Sequence, residues 1–408
     1  MHIQKDDLTV TWTLDEAGGA YILTASATIE NEDDPAVYVQ ADNTDIVVFG
    51  DIAVSDNNIG VYIEGINTRL FIGKTSELDG WQGDYGISAA NLGVTIENHG
   101  LISGYYGGIQ AVSGVIENHG TIRSVYSGIS SSSEFGLQIA NSGTIDAGWG
   151  ISVAATGTAI INAKGAEIRG TAVGVELFNE GEARLVNHGT IRGGDAAIRS
   201  EDTLSLYNRG RIIGDIELGE GRDIIDTRKG RVDGVIRGGE GDDSYRISST
   251  HMKIDDRGSS TADVVLSSAT YRLVGGLDHL QIVGRKDINA TGNEGNNIVI
   301  GNLGDNRVSG MDGADVLSGS AGNDRLSGGD GADSFYFSRN YDIDTITDFE
   351  NGIDLIRSDL VQSLQDFDDL AVKRSGDDLV VDFGRGDRLI LLGMTRSEFD
   401  VGDFDLTS

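Results

Sequence analysis

Apolar positions along this chain return at fixed intervals instead of gathering into long runs. From about residue 20 to 236 one short signature recurs: an apolar residue, one or two others, Asn, any residue, Gly, one more residue and a second apolar one. It reads IENHGLI around Asn98, IENHGTI around Asn118, IANSGTI around Asn141, INAKGAEI around Asn162, LVNHGTI around Asn187 and LYNRGRI around Asn208, at intervals of 20, 23, 21, 25 and 21 residues. Between these, a small residue precedes an Ile or Val at Gly108-Ile109, Gly128-Ile129, Gly150-Ile151, Gly174-Val175 and Ala197-Ile198, and more faintly at Gly60-Val61 and Gly86-Ile87. Short strand-like runs at a period near twenty predict a solenoid with one rung per repeat. The architecture expected over residues 21–236 is a right-handed parallel β-helix. The repeated Asn belongs at an inward-facing corner, where its amide bonds the equivalent amide above and below and tolerates the left-handed backbone of a bend. That is a scaffold role, and no catalytic residue is assigned.

Both flanks depart from this pattern. Residues 1–20 place Leu8, Val10, Trp12 and Leu14 on one face and Thr9, Thr11 and Thr13 on the other, which predicts an antiparallel or capping strand over the first rung. Further along, the period shortens to nine. Gly292 to Tyr336 holds five consecutive units, GNEGNNIVI, GNLGDNRVS, GMDGADVLS, GSAGNDRLS and GGDGADSFY. The first and fourth residues of each are glycine: Gly292/Gly295, Gly301/Gly304, Gly310/Gly313, Gly319/Gly322 and Gly328/Gly331. The sixth is Asn297, Asn306, Asp315, Asp324 or Asp333, and the eighth is Val299, Val308, Leu317, Leu326 or Phe335.

Two glycines per unit permit the positive φ angles of a tight turn, and one inward apolar side chain suits a three-residue strand in a thin two-sheet roll. One turn of the roll then takes two units. Loops eighteen residues apart stack on one edge, pairing Asn297 with Asp315, Asn306 with Asp324, and Asp315 with Asp333. A hard cation that takes six to eight oxygens, about the coordination number of calcium, fits between such loops. With no Cys and no His in the block, calcium suits it better than zinc.

These nonapeptides resemble the RTX calcium-binding family, whose fold is a parallel β-roll. Leu218 to Asp226 (LGEGRDIID) is a unit lacking its first Gly, and Gly238 to Arg246 (GGEGDDSYR) is a complete one; they add Asp223 and Asp243 as metal-binding candidates. The β-helix is expected to run on into the roll as one column, with a calcium site at that junction. Residues 261–300 resemble an insert of bacterial RTX proteins and read as further rungs without metal. The segment after the block resembles the end of such rolls, which implies Asp344, Asp348 and Asp354 as additional ligands. Asp378 to Phe383 and Gly386 to Leu391 read as a closing hairpin. The expected order is therefore a cap (1–20), a parallel β-helix (21–236), a junction and insert (237–291), a calcium roll (292–336) and a C-terminal β cap (337–408), all-β throughout.

Composition sharpens the choice of partner. The chain has 408 residues, 59 Gly, 1 Pro, no Cys, and 31 basic against 65 acidic residues, a net charge of −34. That charge argues against nucleic acid and anionic membrane surfaces and favours multivalent cations. Residues 292–408 alone carry 24 acidic and 9 basic residues, so folding there is expected to be coupled to calcium. The N-terminus has no basic and apolar leader pattern, and no run of apolar residues is long enough to insert in a membrane. The RTX resemblance implies instead export from a Gram-negative bacterium by type I secretion machinery through an uncleaved C-terminal signal, and the tail from Asp403 to Ser408 fits that acidic-plus-apolar pattern.

The β-helix also suggests carbohydrate chemistry, since polysaccharide lyases and epimerases use this fold. Such an enzyme needs an acid and a base on two sides of a sugar ring. Three of the six histidines, His99, His119 and His188, occupy one repeat position after the ladder Asn and are expected to stack on an outer corner. Tyr106, Tyr126 and Trp149, each eight residues after a ladder Asn, form a candidate glycan-contacting row. The reading favoured is a non-enzymatic, calcium-binding, self-assembling protein of the cell surface or matrix, such as a surface-layer, filament or adhesin subunit. A homo-oligomer or lattice and cell-surface polysaccharide are its expected partners. A lyase, an epimerase or a glycan-binding module is the alternative.

Overall fold

Isoleucine and asparagine at a period near twenty build the first half of the molecule. The computed structural model describes residues 1–31, 35–54, 58–80, 84–131, 133, 135–154, 156–178, 181–260 and 262–405. It divides into two units, Met1–Gly239 and Glu240–Ser408. Both are β-solenoids, and among the described residues the helical content is one five-residue turn at Leu364–Asp368 and a 3-10 turn at Val401–Asp403. Among the described residues no helix is long and apolar enough to cross a membrane.

In Met1–Gly239, strands of successive repeats pair in parallel with like residues in register. Val94–Asn98, Gly114–Asn118, Leu137–Asn141, Ala159–Asn162, Ala183–Asn187 and Leu204–Asn208 form one wall, in which Asn98, Asn118, Asn141, Asn162, Asn187 and Asn208 align. Side chains alternate across the wall, so Ile96, Ile116, Ile139, Ile160, Leu185 and Leu206 all point inward and are at most 2% exposed. Two further columns close the core: Ile102, Ile122, Ile145, Ile168, Ile191 and Ile212, and Ile87, Ile109, Ile129, Ile151, Val175 and Ile198. The small residue before each member of the last column has a steric cause. A Cβ on Gly108 would lie 2.3 Å from Ile122 Cγ2, and one on Gly128 would lie 2.5 Å from Ile145 Cγ2.

The six asparagines are buried and bond in a continuous chain. Each Nδ2 donates to the Oδ1 of the next rung, at 2.8 Å from Asn98 to Asn118, 2.8 Å from Asn118 to Asn141, 2.9 Å from Asn141 to Asn162, 2.9 Å from Asn162 to Asn187 and 2.8 Å from Asn187 to Asn208. Because an amide carries both donor and acceptor, the ladder satisfies itself without a ligand.

The N-terminal segment is not a separate cap. His2–Gln4 pairs in parallel with Ala20–Leu23, Leu8 bridges Ile29, and Trp12–Leu14 pairs in parallel with Val37–Val39. It is a rung like the others, with only Leu14 of its four alternating residues fully buried and Val10 59% exposed. The uniform alternation of Leu8 to Leu14 suggested one strand, but a bend around residues 9–11 splits it between two walls.

In Glu240–Ser408 the rungs are shorter. Ile298–Ile300, Val316–Ser318 and Ser334–Tyr336 stack in register at steps of 18 residues, as do Arg307–Asp312 and Arg325–Asp330 on the opposite sheet. The eighth residues Val299, Val308, Leu317, Leu326 and Phe335 fill the gap between the sheets, each at most 1% exposed. Asp387–Leu391 adds in parallel to Ile343–Ile346 and then turns the sheet antiparallel through Asp378–Gly384 and Ala371–Ser375. Phe404 bridges Ile356 and packs with Phe367 and Phe399, so the start of the acidic tail is part of the fold. Leu406, Thr407 and Ser408, the end of the expected secretion signal, lie outside the described residues.

Candidate metal centre

The sixth residues of the nonapeptides meet on two edges of the roll because a two-unit turn brings every second loop into register. On one edge, the Asn297 N–H donates to Asp315 Oδ1 at 2.7 Å, Asp315 N–H to Asp333 Oδ1 at 2.8 Å, and Asp333 N–H to Asp354 Oδ1 at 2.9 Å. On the other, Asn306 N–H donates to Asp324 Oδ1 at 2.7 Å and Asp324 N–H to Asp344 Oδ1 at 3.0 Å. Each carboxylate thus binds the backbone of the preceding turn with one oxygen. The second oxygen of Asp315, Asp324, Asp333 and Asp344 is buried and has no hydrogen-bond partner.

The position of that oxygen explains the first glycine of the repeat. A Cβ on Gly310 would sit 2.0 Å from Asp315 Oδ2, one on Gly319 2.2 Å from Asp324 Oδ2, and one on Gly328 2.0 Å from Asp333 Oδ2. These glycines make room for a carboxylate and do not have positive φ, contrary to the expectation that both glycines serve the turn. Positive φ falls on the fourth glycine of three units, Gly313, Gly322 and Gly331, at 119°, 128° and 137°; Gly295 and Gly304 lack it.

Asparagine at the sixth position behaves differently. Asn297 Oδ1 accepts from the Asn293 N–H at 2.7 Å and its Nδ2 reaches Leu277 O at 3.4 Å; Asn306 Oδ1 accepts from Asn302 N–H at 2.8 Å and its Nδ2 donates to Ile288 O at 2.8 Å. The two amides are satisfied by protein, whereas the four aspartates are not. The three later candidates also separate. Asp344 shares the free-oxygen geometry, Asp354 uses its second oxygen on the Glu350 N–H at 2.8 Å, and Asp348 is held by Ser327 Oγ at 2.6 Å and the N–H groups of Gly328 and Gly329 at 3.0 and 3.2 Å.

Burial pushes the carboxyls of Asp315 and Asp333 up to about 6, Asp324 up to about 7 and Asp344 up to about 9, with neighbouring carboxylates adding to each rise. An ionised carboxylate without a partner costs roughly several kcal/mol to bury. Donors that are all oxygen, negatively charged and short of one partner fit a hard divalent cation such as calcium. Asp315, Asp324, Asp333 and Asp344 are the residues that would hold it, and the bound charge would keep them ionised.

The other candidates lie elsewhere. Asp223, in the first unit, is fully buried and accepts from the Leu204 N–H at 2.5 Å. Asp243, in the second, bonds the Tyr245 hydroxyl at 3.1 Å. On the outside of the β-helix, His99 and His119 stack with ring centroids 4.6 Å apart, and the column extends backward through Phe71 and Phe49, which had not been singled out. Tyr106 and Tyr126 stack at 5.4 Å with Tyr105 edge-on, all three exposed. Trp149 is not in line with them: it lies in register with Ser127, because Thr144 to Trp149 covers with one residue fewer the stretch that Thr121 to Ser127 covers in the preceding rung.

Residues 291–326 and 309–344 match the RTX calcium-binding nonapeptide repeat (4 copies), the repeat of a family of secreted calcium-binding proteins. No curated protein matches the chain. Among solved structures it is similar to the AlgE6R3 subunit of the mannuronan C5-epimerase from Azotobacter vinelandii, at 25% identity over 33% of this chain and 82% of that one, with a TM-score of 0.24. It is also similar to the extracellular lipase LipA from Serratia marcescens, at 17% identity over 55% of this chain and 40% of the lipase, with a TM-score of 0.20.

Proposed function

We propose that this chain, which carries RTX calcium-binding nonapeptide repeats, is a secreted structural protein that completes its folding on meeting calcium outside the cell and then assembles with copies of itself. The observation that carries the calcium step is the set of free, buried oxygens on Asp315, Asp324, Asp333 and Asp344, the first three beside glycines that leave space for them. Low cytosolic calcium keeps the acidic roll open until export, since extracellular modules bind calcium at about 10⁻⁴ to 10⁻³ M. Support for a structural role is that the repeated polar residues are used by the scaffold: the asparagines bond one another, and His99 and His119 stack.

Light scattering and electron microscopy on the purified chain, first in chelator and then in millimolar calcium, test the assembly step. Ordered filaments or sheets are expected with calcium. A folded chain that stays monomeric would overturn it. One observation favours a second reading, glycan binding: Tyr105, Tyr106 and Tyr126 present an exposed aromatic surface of the kind on which sugar rings stack.

A further inference from the structure

The junction that precedes the roll, where the repeat pattern offers Asp243 as a metal candidate, buries a second group of carboxylates. Asp243, Asp256 and Asp263 are each 1% exposed, and each offers a carboxylate oxygen within 4.8 Å of the other two. Asp256 follows the strand Lys253–Ile254, and Asp263 precedes Val264–Ser267, which pairs in parallel with Ser244–Ile247 and so brings Asp263 beside Asp243. The Asp243 N–H donates to Asp263 Oδ1 at 2.8 Å, and the Asp263 N–H donates to Asp278 Oδ2 at 3.0 Å.

Tyr245 ties the group together. Its fully buried hydroxyl lies 2.6 Å from Asp256 Oδ2 and 3.1 Å from Asp243 Oδ2. A phenol has one proton to donate, so it serves one of these oxygens at a time. Asp256 Oδ1 and Asp263 Oδ2 remain buried with no hydrogen-bond partner. Burial holds the Asp256 carboxyl above its ordinary range and Asp263 up to about 7, with Asp278 adding to both.

We propose that Asp243, Asp256 and Asp263 form a calcium site outside the nonapeptide block, with Tyr245 positioning two of its carboxylates. The donors are all oxygen, which selects a hard cation, and a buried site favours calcium over magnesium because magnesium gives up its water reluctantly. The choice of ion rests on the calcium reading of the roll; the site itself rests on the two free oxygens. Asp256 and Asp263 belong to no nonapeptide, so the repeat pattern does not announce them.

Bound calcium per chain, measured by equilibrium dialysis on the full chain at saturating calcium, tests the assignment. Asp256→Asn with Asp263→Asn keeps the shapes and the acceptors of the Tyr245 and Asp243 bonds. This variant is expected to bind one calcium fewer than the parent, while Asp315→Asn with Asp333→Asn loses ions from the roll independently. An unchanged count in the first variant overturns the site; an unchanged count in the second overturns the reading of the roll. Melting separates a metal site from a proton-sharing network. With a metal site, the first variant melts no lower than the parent in chelator but lower in calcium; equal melting in calcium contradicts it. If the double variant does not fold, Asp256→Asn alone is expected to weaken one calcium-binding step at least about tenfold by titration calorimetry, the lower end of what losing a supporting group costs a metal site. An unchanged affinity there overturns the proposal as well.

Discussion

The two units stack polar side chains along their rungs by similar means and to opposite effect. In Met1–Gly239 the ladder is asparagine, and each amide donates to one neighbour and accepts from the other, so nothing is left over. In Glu240–Ser408 the ladder is aspartate, and each carboxylate accepts a backbone N–H with one oxygen and leaves the other bare. A neutral, self-complementary ladder is finished when the chain folds. A charged one is finished when a cation arrives. The change from Asn297 and Asn306 to Asp315, Asp324 and Asp333 repeats this contrast inside a single run of nonapeptides.

Calcium removal should break the comparison open most widely. In scanning calorimetry, millimolar calcium is expected to raise the melting of the Glu240–Ser408 unit and leave that of Met1–Gly239 in place. Each site contributes about 1.4 kcal/mol at a tenfold excess over its Kd. Three such sites amount to roughly 10 °C in a unit of this size. Equal shifts in both units would erase the distinction drawn here.

Next in size is the asparagine ladder. Asn141→Ala strands the Oδ1 of Asn162, while the Nδ2 of Asn118 keeps its bond to Thr144 O at 3.2 Å, and is expected to cost about 2 kcal/mol, chiefly from one buried acceptor left without a partner. The loss should be the same in chelator and in calcium, measured by denaturant unfolding.

A pH dependence follows as well. In the unfolded chain, aspartates titrate near 4, whereas those of the folded roll without cation titrate at about 6 to 7 for Asp315, Asp333 and Asp324. The folded state therefore holds more protons across that window, and stability in chelator falls as pH rises from about 4 to about 7. Each pH unit between the two values corresponds to about 1.4 kcal/mol, so before solvent screening the loss reaches roughly 3 kcal/mol per carboxylate. Melting in chelator at pH 5 and pH 8 checks the sign, and Asp315→Asn with Asp333→Asn should flatten the dependence. The smallest effect is at the outer aromatic surface: Tyr126→Ala, at an exposed position, should change stability by less than about 0.5 kcal/mol. Loss of saccharide binding in that variant would support the glycan reading.

Much of this architecture was legible because repetition carries it. The spacing of Asn98 to Asn208 predicted a buried ladder, and the nine-residue period predicted which sixth residues would meet. Local interactions were not legible. The first glycine of each unit looked like a turn residue, and only coordinates show the carboxylate lying over it. One residue fewer between Thr144 and Trp149 than between Thr121 and Ser127 moved Trp149 out of line with Tyr126 without any mark in the spacing from the ladder Asn. The split of residues 1–20 into pieces of a rung depends on where the chain bends. Asp256 and Asp263 escaped notice because they follow no period, although Asp263 stands twenty residues after Asp243, as Asp243 does after Asp223.

Hydrogen exchange on the full chain, read by mass spectrometry in chelator and in millimolar calcium, tests the central claim most directly. The amides of Asn297, Asn306, Asp315, Asp324 and Asp333 donate to carboxylates that calcium is held to lock in place. Peptides spanning residues 292–357 are expected to gain strong protection on calcium addition, while those carrying Asn98 to Asn208 stay equally protected in both conditions. Roll peptides as protected in chelator as in calcium would show a charged ladder that needs no cation, and would contradict the account.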